Sequence, residues 1–224
     1  MATAKTAQSE DSTKAKKEGQ EMELTNEPEG GDALALESTD LVKHPLQNKW
    51  SMWFFKNDKA KSWADNLRVV SSFDTVEDFW ALYNHIVVAS RLQSGCDYAL
   101  FKEGVKPMWE DDKNKTGGRW LVSFDKKSKP TEIDRCWLET LLLMVGEAFE
   151  EESEIVNGAV INVRNKGNKI AIWTGESRKE EPVCKVGKKF KERLGLPPRF
   201  SIPFEAHADT MTKHGSTAKH RFVV

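Results

Sequence analysis

The chain has 224 residues, 38% of them hydrophobic, and 34 basic residues against 35 acidic ones give a net charge of −1; this length suffices for one domain with a complete core and a tail. No apolar run is long enough for a transmembrane span or a signal peptide, so we expect a soluble, intracellular protein. The three cysteines, Cys96, Cys136 and Cys184, are far apart and lack CxxC spacing, which argues against a disulfide framework and a zinc site.

The first forty residues differ in composition from the rest. Residues 1–40 contain four Lys, ten Asp or Glu and no aromatic residue, so their net charge is −6 and that of the remainder is +5. Such a segment has too little apolar surface to offset the entropy lost on ordering. The sequence therefore predicts a disordered acidic tail over 1–40 and a mildly basic folded domain over 41–224, which suits an anionic ligand.

The remaining sequence mixes strand and helix signals. The predicted elements are a strand at 47–56, a helix from Asp74 or Thr75 to about His85, strands at 98–102 and 119–124, a helix at 133–149, a hairpin of 159–164 and 169–174, a helix at 185–194, and strands at 200–203 and 221–224. In the first strand, Trp50, Met52 and Phe54 lie on one face, and Ser51, Trp53 and Phe55 lie on the other. Because no regular βαβ rhythm is present and hairpin signals recur, we predict an antiparallel α+β sheet.

Two tryptophans in polar segments are candidates for ligand contact. Trp63 lies in a Lys- and Ser-rich segment, and Trp109 precedes Glu110 in the long connection between two strands. An indole can stack on a flat base, more tightly if the base is cationic, and a carboxylate can accept two hydrogen bonds from a guanine-type N–H edge. The alternative is that both tryptophans are ordinary core residues, since Trp is usually mostly buried.

The hairpin predicts a basic face. If Arg164 and Lys169 form a cross-strand pair around a four-residue loop, one face carries Asn162, Arg164, Lys169, Ala171 and Trp173. The other face is apolar. Like charges opposite each other are unfavourable unless an anion or a carboxylate bridges them, so phosphate is a natural ligand, and Arg119 fits the same scheme. A solvated basic surface is the alternative.

The helices carry more apolar surface than one sheet contact requires. The predicted helix 133–149 is apolar nearly all round, and Val76 and Trp80 form a separate row on the preceding helix. A partner helix lying across Trp80, Leu138 and Leu142 would use this surface. Burial beneath the tail or loops is the alternative.

Motifs for catalysis are missing from the sequence. The five histidines lie outside HExxH, HxE and Cys/His patterns, and neither GxxxxGK[ST] nor GxGxxG occurs. We therefore predict no catalytic residue, no cofactor and no metal.

These segments resemble the translation initiation factor 4E family, which binds the 7-methylguanosine cap of eukaryotic messenger RNA. The motifs that carry the resemblance, in family order, are HPLQNKW, FDTVEDFWALYNHI, PMWEDDKNKTGGRW, DRCWLETLL, GAVINVR, KIAIW and KERLGLPP. The likeness runs from His44 to Val224. It implies a curved antiparallel sheet with three helices on its convex face and the ligand on its concave face.

The resemblance also implies roles for individual residues at the cap. Trp63 and Trp109 would sandwich the methylated base, and Glu110 would pair with its N1–H and exocyclic amine. The main-chain N–H of Trp109 would reach the base O6, and Trp173 would lie against the methyl group. The implied phosphate-binding residues are Arg119, Arg164, Lys166, Lys169 and Lys213.

On the opposite face, the resemblance implies a binding site for a helical Tyr-x4-Leu-apolar motif found in the initiation scaffold and in competing repressors. Its residues would be His44, Pro45, Val76, Trp80, Leu138, Glu139, Leu142 and Gly146. Ser216 matches a phosphorylation site. The implied protein is a monomeric, non-enzymatic cap-binding initiation factor in the cytoplasm, and also in the nucleus and RNA granules. One alternative is a cap-binding repressor that does not engage the scaffold, and another is a cap-hydrolysing enzyme.

Overall fold

A computed structural model describes residues 42–211 and 220–224. The predicted tail over 1–40 lies outside these residues, and its disorder stays a prediction. The described chain forms one curved, antiparallel, eight-stranded sheet with the strand order β2-β1-β3-β5-β6-β4-β7-β8. Three longer helices pack on one face of this sheet, which confirms the predicted α+β class.

The bounds of the elements follow the predicted order with several differences. The strands are β1 (Pro45–Lys56), β2 (Leu67–Thr75), β3 (Cys96–Lys102), β4 (Gly118–Ser123), β5 (Val156–Asn162), β6 (Lys169–Thr174), β7 (Pro203–Ala206) and β8 (Phe222–Val223). The helices are α1 (Trp63–Asn66), α2 (Val76–His85), α3 (Pro130–Val145), α4 (Glu180–Arg193) and α5 (His207–Met211).

The main core lies between the sheet and the helices. Trp50 and Met52 of β1 are almost fully buried there, and Phe54 packs against the same cluster, which confirms the predicted face of this strand. Trp120 of β4 is also fully buried, and its Nε1 donates to the Val183 carbonyl of α4 at 2.9 Å. This contact fixes α4 against the centre of the sheet.

Helix α4 approaches the sheet closely at Gly187. A Cβ atom at this position would lie 2.5 Å from Trp120 Cε2, closer than van der Waals contact permits. The missing side chain therefore lets the helix backbone lie directly on the indole.

The start of α2 is confirmed, whereas α3 and α4 begin earlier than predicted. Thr75 is the N-cap of α2, because its hydroxyl accepts the Asp78 N–H at 3.2 Å. Pro130 is the first residue of α3, where a missing N–H costs nothing, and Gly146 ends the helix before Phe149. Helix α4 begins at Glu180. Pro182 lies in its first turn, where a missing N–H is tolerated, so this proline does not interrupt the helix.

Two strands were predicted wrongly. β2 was missed, because it is an edge strand in which Phe73 is the one buried side chain, so it lacks apolar alternation. The strand predicted at 200–203 is wrong, since β7 starts at Pro203 and continues to Ala206. Pro203 begins this strand rather than ending it, because the missing N–H of a proline is tolerated at the first position of a strand.

Candidate functional site

A cavity of about 540 Å³ opens on the sheet face away from the three longer helices. Its floor is formed by side chains of β1, β3, β4, β5 and β6, and its rim by the loops that follow β1 and β3. The predicted residues that line it are Trp63, Trp109, Glu110, Arg119, Arg164 and Trp173. Six residues from several separate segments of the chain therefore meet at one cavity.

Trp63 is exposed on a short helix at one rim. Ser62 caps α1, since its hydroxyl accepts the Asp65 N–H at 3.2 Å and donates to the Asp65 carboxylate at 2.6 Å. The indole of Trp63 is 50% exposed and packs against Phe55, with ring centroids 5.7 Å apart. A half-exposed indole that packs against one other ring is available for stacking. The alternative interpretation of Trp63 as a core residue is therefore wrong.

Trp109 and Glu110 lie in the loop between β3 and β4, as predicted. The Trp109 side chain is 38% exposed and Glu110 is also exposed, although both line the cavity. The interpretation of Trp109 as a core residue is therefore wrong as well.

Each arginine at the cavity has a carboxylate partner. Arg119 donates from Nε at 3.1 Å and from Nη2 at 2.9 Å to one oxygen of the buried Glu205. Arg164 forms a bidentate pair with Asp97, which raises the pKa of the guanidinium. A guanidinium has five N–H donors, so both side chains keep donors for a further anion.

The predicted register of the hairpin is wrong by two residues, but the predicted face is right. Lys169 lies opposite Asn162 rather than Arg164, because β5 ends at Asn162 and the loop is longer than four residues. A two-residue shift keeps each side chain on its face. The charge of Arg164 is balanced by Asp97, so the repulsion argument for a bound phosphate does not hold.

Trp173 of the cavity floor lies against His207, which also lines the cavity. Their ring centroids are 4.3 Å apart, and both side chains are buried. Burial, together with the charge of Arg119, lowers the pKa of His207 to about 4. The imidazole is therefore neutral at pH 7, and the positive charge in this part of the cavity comes from Arg119.

Several residues of the cavity were not predicted as site residues. Asp97 and His207, which line it, and Glu205, the partner of Arg119, were missed, because carboxylates and an isolated histidine have no distinctive sequence pattern. The strand predicted at 200–203 also ended before Glu205 and His207, so neither residue was considered for the site. Correct placement of that strand would have put Glu205 beside Arg119, its partner in the β4–β7 register.

Two of the predicted phosphate-binding residues do not line this cavity. Lys166 and Lys169 line a neighbouring depression that shares Arg164 with it. Lys213 and Ser216 lie outside the described residues, so their predicted roles stay predictions.

The residues predicted for a partner lie on the helix side of the sheet. Val76 and Trp80 are 38% and 37% exposed, and the indole contacts Phe79 and Tyr83. Leu138 and Leu142 are partly buried on α3. Trp80 is thus a surface residue supported by other aromatic rings.

The other four partner residues flank this apolar surface. His44 is exposed, and its Nδ1 lies 2.7 Å from the Glu77 carboxylate, while Pro45 begins β1. Glu139 pairs with Arg193 at 3.4 Å, and Gly146 caps α3.

Metal-site clusters and membrane-spanning helices are both absent from the described residues. Over 42–211 and 220–224, no cluster of three or more His, Cys, Asp or Glu residues has the arrangement of a metal site. In the same ranges no helix combines the length and hydropathy needed to cross a membrane.

Comparisons with known proteins agree with the fold and with the motifs. The family model for eukaryotic initiation factor 4E matches residues 45–222. The human eukaryotic translation initiation factor 4E is 61% identical over 183 residues, which are 82% of this chain and 84% of the human one.

Two solved structures are similar over most of the described chain. Ascaris suum eIF4E-3, in complex with an m7G cap, has a TM-score of 0.77 and 48% identity, covering 82% of this chain and 98% of that one. C. elegans eIF4E-3, in complex with the 4E-binding protein Mextli and a cap analog, has a TM-score of 0.75 and 45% identity, covering 82% and 100% of the two chains. The present chain belongs to the eukaryotic initiation factor 4E family.

Proposed function

We propose that this protein binds the 7-methylguanosine 5′ cap of messenger RNA in the cavity and brings the capped RNA to the translation machinery through a scaffold protein on the helix side. The single observation that carries the proposal is the meeting of two exposed indoles and a carboxylate, Trp63, Trp109 and Glu110, at one cavity with two arginines. Relatives solved with cap ligands support it.

The chemistry of the methylated base matches these side chains. Methylation at N7 gives guanine a positive charge, and a cation over an indole face gains about 0.5–1 kcal/mol at an exposed site and about 2 kcal/mol or more when desolvated. Glu110 would accept two hydrogen bonds from N1–H and the exocyclic amine. Trp173, on the cavity floor, would contact the methyl group.

The phosphates of the cap would lie along the basic end of the cavity. Arg119 and Arg164 line it directly, and Lys166 and Lys169 continue the positive surface beyond Arg164. Lys213 would add a further charge. Asp97 and Glu205 limit the net charge of this end, so we expect phosphate contacts to tune affinity and the base contacts to give specificity.

The exposed row of Val76 and Trp80 would receive the scaffold helix, together with the partly buried Leu138 and Leu142. The C. elegans relative solved in complex with the 4E-binding protein Mextli supports the proposal of a protein partner. We further propose that the protein acts by binding rather than by catalysis, in the cytoplasm and also in the nucleus and RNA granules. Residues 1–40 would be a disordered tail of the cap-binding domain, and Ser216 a phosphorylation site.

Addition of 7-methyl-GTP should quench the tryptophan fluorescence, because the base would stack between Trp63 and Trp109. GTP should bind at least about tenfold more weakly, since it lacks the cationic ring and loses on the order of 1.4 kcal/mol or more. Fluorescence titration with both nucleotides gives the two affinities. Equal affinities would rule out a cation–π sandwich.

Lys169→Ala should weaken binding of 7-methyl-GTP about two- to fivefold at low salt, because one exposed charge contributes about 0.5–1 kcal/mol. Binding of 7-methylguanosine should hardly change, and the effect on the triphosphate should fade as salt rises. Lys188→Ala is the matched control, an exposed lysine on α4. An equal loss for nucleoside and triphosphate would contradict a phosphate role for Lys169.

A further inference from the structure

The loop that carries Trp109 and Glu110 is organised around a buried amide. This loop, residues 103–117, contains no strand or longer helix, yet the Asn114 side chain within it is fully buried. The Asn114 Nδ2 donates to the Lys106 carbonyl at 2.8 Å and to the Met108 carbonyl at 2.9 Å. One side chain thus holds the backbone on the N-terminal side of Trp109.

A second amide connects Asn114 to the sheet. Asn157 of β5 donates from Nδ2 to the Asn114 Oδ1 at 3.0 Å and to the Lys113 carbonyl at 2.8 Å. Both hydrogens of each amide are used, so reversal of either group would place an oxygen against a carbonyl oxygen. The orientation of the pair is therefore fixed by its hydrogen bonds.

Close backbone contacts leave this network little freedom. A Cβ atom at Gly175 would lie 2.9 Å from the Lys113 carbonyl oxygen and 3.1 Å from the Asn157 Nδ2. Thr116 also donates from its hydroxyl to the Gly175 carbonyl at 3.0 Å. The C-terminal half of the loop is thus held against the end of β6.

The hydrogen bond to Met108 determines the direction of the next N–H group. In a trans peptide the carbonyl and the N–H of the following residue point in opposite directions. Because the Met108 carbonyl points at Asn114, the Trp109 N–H points away from it. The Met108 carbonyl also accepts the Asp111 N–H at 3.3 Å, and the shorter bond comes from Asn114, a residue that does not line the cavity.

We propose that Asn114, supported by Asn157, is a positioning residue for base recognition, because it fixes the Met108–Trp109 peptide and thereby the donor and the carboxylate that meet the edge of the base. This inference rests on the proposed function and deepens it. A buried, fully satisfied polar network lets the loop meet the ligand without first becoming ordered.

The test uses Asn114→Ala in the full-length protein, with 7-methyl-GTP and GTP as probes. The variant removes the amide donor that ties the Lys106 and Met108 carbonyls to Asn114 and leaves each with one backbone N–H, from Met108 at 2.7 Å and from Asp111 at 3.3 Å. The affinity for 7-methyl-GTP should therefore fall about tenfold or more. The preference for 7-methyl-GTP over GTP should also narrow. An unfolded fraction lowers both affinities by the same factor, so this ratio separates positioning from stability.

Two further variants keep the test decisive. Asn157→Ala retains both hydrogen bonds that Asn114 donates, so this variant should fold. It should narrow the ratio of the 7-methyl-GTP and GTP affinities less than Asn114→Ala does. Thr140→Ala is the matched control, since Thr140 is equally buried on α3 and donates to the Cys136 carbonyl at 2.7 Å, away from the loop. Its ratio should equal that of the wild type.

The outcomes separate this inference from the proposed function. Failure of the wild type to bind 7-methyl-GTP would overturn both. If the wild type binds and the ratio is unchanged in Asn157→Ala and in any folded Asn114→Ala, the positioning role is wrong and the proposed function stands. A ratio that narrows equally in Thr140→Ala would show general loosening and would also overturn the positioning role.

Discussion

Glu110→Gln should remove most of the affinity for 7-methyl-GTP. The amide offers one acceptor oxygen in place of two, presents an NH₂ group to a donor edge, and loses the charge that favours a cationic base. We expect a loss of roughly 1.5–3 kcal/mol, which is about ten- to a hundredfold in affinity. Isothermal titration of the variant and the wild type with 7-methyl-GTP measures it.

Asp112→Asn is the matched control for this substitution. Asp112 lies two residues from Glu110 in the same loop, is 89% exposed, and pairs with Lys115 at 2.6 Å. Its neutralisation removes the same charge from the loop without changing a group that lines the cavity. A similar loss in both variants would mean that Glu110 acts through the general field of the loop and not by pairing with the base.

The sequence was sufficient to predict most of the candidate site, for a physical reason. Exposed indoles in polar segments and an adjacent carboxylate are unusual, and the resemblance gave them roles before the fold was known. The partners that balance the arginines were not predictable in this way. These two pairs can be recognised once the strand order is known, because Glu205 lies on β7 beside Arg119 of β4, and Asp97 lies on β3 near Arg164, which follows β5.

The fold was predictable where apolar alternation or capping was strong. Strand β1 and helix α2 followed directly from the pattern at Trp50 and Met52 and from the cap at Thr75. Edge strand β2 was not, since its exposed face needs no apolar residues. The first residues of α3 and α4 were predicted too late, because Pro130 and Pro182 were not placed inside the helices. A proline is tolerated in the first turn of a helix.

Trp80→Ala should abolish binding of a Tyr-x4-Leu-apolar peptide while leaving cap binding nearly intact. Truncation of an interface tryptophan costs about 2 kcal/mol or more, which is at least about thirtyfold in affinity. The cavity keeps all its own groups, because Trp80 lies on α2, on the helix side of the sheet. Calorimetric titration with the peptide and retention on immobilised 7-methyl-GTP measure the two activities.

Trp63→Ala is the reciprocal control, since it should lose cap binding and keep peptide binding. The two variants also separate surface roles from stability, because both indoles are partly exposed, at 37% for Trp80 and 50% for Trp63. Truncation of a partly exposed indole should cost less stability than the roughly 3–5 kcal/mol typical of a buried one. If Trp80→Ala unfolds the protein, its contacts with Phe79 and Tyr83 are structural; if peptide affinity is unchanged in a folded variant, the partner binds elsewhere.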